Sequence, residues 1–329
     1  PGSTYFLKVP ENSTDISPDH QVGSAGTGMP DKWAKEVMAA AKSGENPRTG
    51  QPKGDIVIYV HGFNTPTKTM LQRHRLIKAG LSKHGFKGVV ASFDWPSAST
   101  ALNYLEDRSD AKQTARLLVD AGIAAFAERQ TPDCEINLHL LAHSMGAHIG
   151  LCYLHDHCGL FKQTILPSPM VDIAMSPFLK TLLTYYVRGA VKLGFGAYYV
   201  PGAGDNKPQG QPFENNRLTS DQARFERTKR QLLERPGLAL GGVTHQWLLA
   251  TLLSIDRLLR TDFPEKIGIT ILMVSAGEDR IVYNRAQAHI KTRMPQCRLV
   301  TLENAKHEIL VENDAIRERF WKIFDDFLK

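Results

Sequence analysis

Six short apolar, β-branched runs recur along this chain with helix-patterned stretches between them, and that alternation restricts the fold more than any other feature. The runs are Ile56 to Val60, Gly88 to Phe93, Ile136 to Leu141, Thr164 to Leu166, Ile269 to Val274 and Arg298 to Leu302. Stretches near 67–84, 106–129, 145–157, 246–260, 283–293 and 314–328 carry apolar residues at three- and four-residue spacing, the mark of a helix with one buried face. Strands alternating with helices at these lengths predict an α/β class: a doubly wound, mostly parallel sheet covered by helices on both faces. With 329 residues, 42% of them hydrophobic, the chain can bury one large core with an insertion or two modest ones.

The alternation fails in one place. From about Asp172 to Val243 no strand pattern is visible, and SPFLKTLLTYYVRGAVKLGFGAYYV, residues 176 to 200, is rich in Leu, Tyr and Val with only Lys180, Arg188 and Lys192 charged. The segment reads as an inserted helical cap, and the plainer alternative is a pair of ordinary core helices. The expected organisation is therefore residues 1–50 as leader and first elements, 51–173 with 244–329 as the α/β core, and 174–243 as the cap. Residues 10–30 read as an irregular leader and 201–217 as a polar loop, on their Pro, Gly, Ser and Asn content.

LLAHSMGAHIG, residues 140 to 150, sits where an apolar strand should give way to a helix. Ala142 and Gly146 flank Ser144 at the spacing of a G-x-S-x-G elbow with Ala in the first position, so a sharp strand-to-helix turn would expose the Ser144 hydroxyl as a nucleophile. A serine capping an ordinary helix has the same local look. What separates the two is the remainder of the set. Asp279 in SAGEDRIV and His307 in ENAKHEIL each follow a predicted strand, giving the order Ser, acid, His at the carboxyl edge of the sheet. Asp172 also follows a strand and competes with Asp279 for the role of acid. The backbone N–H of Met145 is one candidate oxyanion donor. IVIYVHGFNTPT supplies a second at Phe63, because Gly62 lets that loop run close to the nucleophile. His61 reads as a brace for that loop.

Other features point away from other chemistries. The formal charge is +6 and the pI about 9.1, yet the basic residues are scattered, so nucleic acid is not expected and an anionic surface is the partner left. Cys134, Cys152, Cys158 and Cys297 form neither C-x-x-C nor an even ladder, so no zinc site or disulfide framework is expected, and a reducing compartment is mildly favoured. His155-Asp156-His157-Cys158 reads as a solvated helix end, not a metal site. No phosphate-binding loop is visible and no cofactor is expected. No apolar run reaches the roughly 20 residues of a membrane span, which favours a cytoplasmic or peripheral-membrane protein. Pro1-Gly2-Ser3 reads as a cloning remnant and leaves an export signal or anchor open.

From about Cys134 onward, HLLAHSMGAHIGLCYLHDH, PSPMVDI, ENNRLTSDQARFERT, LALGGVTHQWL, AGEDRIV and AKHEIL resemble the bacterial lysophospholipase and monoacylglycerol lipase group of α/β-hydrolases. The resemblance implies Ser144, Asp279 and His307 as a catalytic triad, a lid over them, and an acyl ester or lysolipid as substrate. The front part, VHGFNTPTKTMLQRHRLI, GVVASFDWPSAS and LNYLEDRSDA, is similar to a different α/β-hydrolase family, so the chain reads as a hybrid or a divergent member, with a pocket wall near Phe63 and Trp95 of the second type. A short-chain carboxylesterase, thioesterase or acyltransferase is the alternative enzyme, and a non-catalytic binding module the alternative outside enzymes.

Overall fold

The computed structural model describes residues 5–13, 15–24, 29–62, 65, 67–94, 126, 134–157, 159–205, 208–234, 241–260 and 262–329. The predicted helix at 106–129 and Trp95 lie outside these residues, apart from the single helical residue Phe126.

A seven-stranded sheet forms the centre. Its strands are β3 (Lys42–Glu45), β4 (Pro52–Val60), β5 (Val89–Phe93), β6 (Glu135–Ala142), β7 (Gln163–Pro167), β8 (Thr270–Ala276) and β9 (Cys297–Leu302). From β4 the order runs β6, β7, β8, β9, all parallel, while β5 (parallel) and β3 (antiparallel) occupy the other edge of β4. All six predicted strands are present, each within a few residues of its expected bounds. The chain steps from β4 outward to β5 and then back across to β6, so the order reverses beside β4, and the crevice at such a reversal is where open α/β sheets hold ligands.

Both faces of the sheet are buried, which explains why the strands read as continuous apolar runs. Along β4, Ile56, Ile58 and Val60 enter one core cluster while Val57 and Tyr59 enter the other, as the twofold side-chain period requires. The first cluster is closed by α1 (Met29–Ala41), α3 (Met145–Asp156) and α7 (Asn284–Arg293) through Ala34 and Ala41, Ala147 and Leu151, and Ala286 and Ile290. The second is closed by α2 (Thr67–Lys83) and α8 (Asp314–Leu328) through Ile77, Leu81, Ile316, Phe320 and Phe324. Helices thus cover both sides, as expected.

Between β7 and β8 the chain forms α4 (Pro177–Lys192), α5 (Gln222–Glu234) and α6 (His245–Leu259), with no strand among the described residues of 172–243. Pro177 at the first helical position and the Ser176 hydroxyl accepting from the Leu179 N–H start α4. One stripe, Leu183, Val187 and Val191, packs on Leu248, Leu249 and Leu252 of α6 in a small cluster separate from the two that flank the sheet. The opposite stripe does not pack: Phe178 is 80% exposed, Leu182 55% and Tyr185 68%.

The leader is more ordered than its composition suggests. Residues 10–30 contain β2 (Gln21–Ser24), paired antiparallel with β1 (Tyr5–Leu7), and the start of α1, where an irregular segment was expected. These elements are stabilised by tertiary contact, Phe6 against Trp33 and Trp33 against Phe126, which local pattern does not record.

Candidate active site

Ser144 stands between β6 and α3 with φ 54° and ψ −116°, a conformation that non-glycine residues rarely adopt and that costs on the order of 1–3 kcal/mol. The turn is held by the ladder around it. His143 N–H donates to the Val60 carbonyl (3.1 Å), Ser144 N–H to that of Pro167 (3.3 Å), and Met170 N–H to that of Ser144 (3.0 Å). Gly146 permits it, because a Cβ there would lie 2.4 Å from the His61 carbonyl oxygen. The Ser144 side chain does not cap α3, so the helix-cap alternative fails.

The hydroxyl instead donates to His307 Nε2 at 3.0 Å, and His307 Nδ1–H donates to Asp279 Oδ2 at 2.8 Å. The three side chains are buried, the Asp279 carboxylate completely. Its other oxygen accepts the N–H groups of Ile281 (2.8 Å) and Val282 (3.1 Å), so the carboxylate is fixed from both sides. The competing acid, Asp172, is engaged elsewhere: its Oδ1 accepts from Lys180 Nζ at 2.7 Å and from the Ile173 N–H. A carboxylate that fixes the imidazole tautomer, leaving a lone pair facing a serine hydroxyl, is the arrangement that can take up a proton as that hydroxyl attacks a carbonyl.

Met145 occupies the first position of α3, where a backbone N–H has no partner within its own helix, and so can donate to a bound oxyanion. Phe63, the second expected donor, lies outside the described residues. Just before it, His61 is fully buried, with Nδ1 2.8 Å from the Gly62 carbonyl and Nε2 3.1 Å from the Asp94 carboxylate, which also accepts from Thr67 Oγ1. His155 stacks on Phe263 (centroids 3.8 Å apart) and His157 on Tyr153 (4.7 Å), so the two histidines face different neighbours; Cys158 lies outside the described residues.

Sequence reasoning missed a second set of buried polar groups below the site. Glu312, fully buried, accepts from the N–H groups of Lys306 (2.7 Å) and Ser220 (3.0 Å) and from the Ser220 hydroxyl. It joins the His307 loop to residues 216–221 of the segment between β7 and β8, whose Arg217 and Leu218 carbonyls accept the His307 and Glu308 N–H groups (3.4 and 2.8 Å). No local signal singles it out, because ENNRLTSDQ is one stretch of a longer polar run that continues on both sides of it.

A family model described as serine aminopeptidase, S33, matches residues 51–314. The chain belongs to this family, and its architecture is the α/β-hydrolase fold. The match runs through the front and rear segments alike. Among curated proteins, the chain is similar to the probable lysophospholipase L2 of Haemophilus influenzae, 34% identical over 190 residues (58% of this chain, 59% of that protein). It is also similar to lysophospholipase L2 of Escherichia coli strain K12, 28% identical over 205 residues (59% and 58%). It thus spans less than two thirds of the length of these relatives. Among solved structures it resembles a soluble variant of monoglyceride lipase from Saccharomyces cerevisiae, with a TM-score of 0.60 and 15% identity over 87% of this chain and 89% of that one. The monoacylglycerol lipase of Paleococcus ferrophilus follows with a TM-score of 0.57 and 17% identity over 88% and 96%.

Proposed function

We propose that the chain is a serine hydrolase that cleaves carboxylic esters of acyl lipids, of the lysophospholipase or monoacylglycerol lipase type, through an acyl-enzyme. The observation that carries this reading is the hydrogen-bonded series Ser144–His307–Asp279 at 3.0 and 2.8 Å, with Ser144 held at positive φ on the tip of its turn. His307 takes the Ser144 proton as Oγ bonds to the ester carbonyl carbon. Asp279 orients the imidazole and stabilises its cation, and the N–H of Met145, with that of Phe63, receives the oxyanion. Collapse expels the alcohol, which takes the proton from His307. Water deprotonated by the same base then attacks the acyl-Ser144 carbonyl, and the fatty acid leaves as Ser144 regains its proton.

The lipid part of the proposal draws on residues 174–243, read as a cap, with 51–173 and 244–329 as the core. The segment meets the site near its middle, where the Arg217 and Leu218 carbonyls accept from the His307 loop, and its start is tied to the core by the Lys180–Asp172 pair. Its exposed Phe178, Leu182, Tyr185 and Leu193 beside Arg188 and Lys192 suit acyl chains and an anionic bilayer surface, since each buried methylene contributes about 0.8 kcal/mol. No helix among the described residues is long and apolar enough to cross a membrane, so the contact proposed is peripheral. That the two bacterial relatives are named lysophospholipases and the two similar structures a monoglyceride lipase and a monoacylglycerol lipase supports the same substrate class.

Labelling with a fluorophosphonate tests the chemistry. Wild type is expected to be modified once, at Ser144, and folded Ser144→Ala to be unlabelled with ester hydrolysis down by about 10³-fold or more. Unchanged hydrolysis by Ser144→Ala overturns the assignment. A chain-length series from acetate to long-chain monoacylglycerol and lysophospholipid, with added acceptor alcohols, separates the lipid reading from a short-chain esterase, thioesterase or acyltransferase.

A further inference from the structure

His307 has no regular secondary structure around it; it lies between β9 and the short turn Ile309–Val311, and loops of this kind are mobile unless they are tied down. Its backbone is tied down by side chains with no part in the acyl-transfer steps. The His307 carbonyl accepts from the Ser168 hydroxyl at 2.7 Å and from His143 Nε2 at 3.3 Å, both buried. Ser168 follows β7, with its own N–H on the Val274 carbonyl (2.8 Å), and His143 precedes the nucleophile. The next residue, Glu308, pairs with Arg73 of α2 (2.8 Å, side chains 12% and 10% exposed), and Arg73 Nη1 donates to Thr65 Oγ1 (3.0 Å).

The charge states are internally consistent. Burial alone would raise the Glu308 carboxyl, but the Arg73 guanidinium, joined by the His143 and His307 rings where low pH protonates them, outweighs it and holds it at about 2, so Glu308 is ionised at pH 7. Burial drives His143 down to about 4 against the pull of Glu308, so the ring is neutral at pH 7. Since Nε2 faces a carbonyl, it carries the proton. Nδ1 then presents a buried lone pair with no partner among the described residues, and it faces Gly62, where a Cβ would lie 3.0 Å away. His143 thus touches the base loop and the Gly62 turn from a position adjacent to the nucleophile.

We propose that Ser168, His143 and the Arg73–Glu308 ion pair are positioning residues that fix His307 at the Ser144 hydroxyl and keep its loop in register with the Gly62 turn. The proposal rests on the serine-hydrolase reading. A buried ion pair contributes little net stability compared with an apolar pair of the same volume, so stability alone gives no reason for one here. Geometry does, because a misplacement of about 1 Å at a reacting group costs on the order of 10²-fold in rate.

The test uses Arg73→Met/Glu308→Leu, which replaces the pair without leaving one charge buried alone, and independently His143→Phe. Activity on a soluble butyrate ester is normalised to sites titrated with fluorophosphonate, and thermal unfolding is followed in parallel. Each variant is expected to lose about 10- to 100-fold in kcat with KM nearly unchanged, and to label to completion at a rate reduced by a similar factor. Wild-type kcat per titrated site in both variants, with Ser144→Ala inactive, overturns the scaffold and leaves the triad standing. Retained activity in Ser144→Ala removes the reading beneath it.

Discussion

Replacing Gly146 with alanine adds one methyl group at the place where the serine turn packs on the end of β4. The new Cβ would lie 2.4 Å from the His61 carbonyl oxygen and 2.8 Å from that of Val60. Carbon and carbonyl oxygen normally approach no closer than about 3.3 Å, so the two backbones must separate by roughly 0.9 Å. Neither gives way easily. Val60 is paired with Ala142 in the parallel ladder, and the His143 N–H bonds to the Val60 carbonyl. Overpacking between rigid elements costs roughly 1–3 kcal/mol. The groups that move are the Met145 N–H and the His61-Gly62 turn, and a shift near 1 Å in reacting geometry is worth on the order of 10²-fold.

Gly150 provides the control. It lies one helical turn along α3, but a Cβ there meets Leu140 Cδ2 at 3.0 Å, the end of a side chain that can rotate aside, and alanine gains about 0.5–1 kcal/mol of helix preference. With kcat on a soluble butyrate ester and thermal unfolding as readouts, Gly146→Ala should lose about 10²-fold in kcat with a lowered Tm, and Gly150→Ala should stay near wild type in both. Wild-type kcat in Gly146→Ala would refute the claim that the turn is set by backbone contact with β4.

Asp279→Asn should lower turnover by about 10²- to 10⁴-fold, whereas Asp172→Asn, whose carboxylate pairs with Lys180, should leave the chemical step near wild type; the reverse ranking would reassign the acid. Leu182→Asp or Phe195→Asp should reduce hydrolysis of long-chain esters far more than of acetate or butyrate esters, and equal loss at every chain length would make the segment a structural support instead of a lid. Charge removal at Arg188 and Lys192 should weaken binding to anionic vesicles by about 1 kcal/mol per charge, with a smaller effect at Lys180, which is already paired; unchanged vesicle binding would exclude this face as the membrane contact. Because the folded-state value of His143 is lowered from 6.5 to about 4, the unfolded chain binds the extra proton first, so stability present above pH 6.5 falls as pH drops toward 4; Glu308, lowered from 4.5 to about 2, adds a loss between those values. Urea unfolding from pH 7 to 4 should show a flatter profile for His143→Phe, and an unaltered slope would mean that this ring is not the titrating group.

The central strands were legible because burial on both faces leaves no polar alternation to interrupt them, as in IVIYV. The three side chains of the candidate triad were legible because each follows such a strand at the same edge of the sheet. β3 was not: KSGE is polar and exposed along its whole length, and it is a strand only because β4 leaves that stretch of its edge open. Phe178, Leu182 and Tyr185 could be assigned to a helix by composition, but the sequence pattern does not say which of two apolar stripes meets α6 and which meets solvent.

Arg73 and Glu308 were invisible for a more general reason. In sequence each is one charged residue in an amphipathic or loop pattern, indistinguishable from exposed neighbours such as Lys78 and Glu303, and burial of a charge is recorded only in the partner that another element brings to it. Here that partner comes from the other end of the chain, and the pair therefore couples the front stretch of the chain to the rear. Thr65 and Arg73 belong to the front stretch, His143 and Glu308 to the rear. A front segment lacking a cation at the position of Arg73 would leave Glu308 buried and uncompensated beside His307, a defect of roughly 3–5 kcal/mol. Exchange of front segments between relatives is therefore restricted by the charge beneath the base as much as by the shape of the sheet, and a tolerated exchange must either supply that cation or remove the carboxylate.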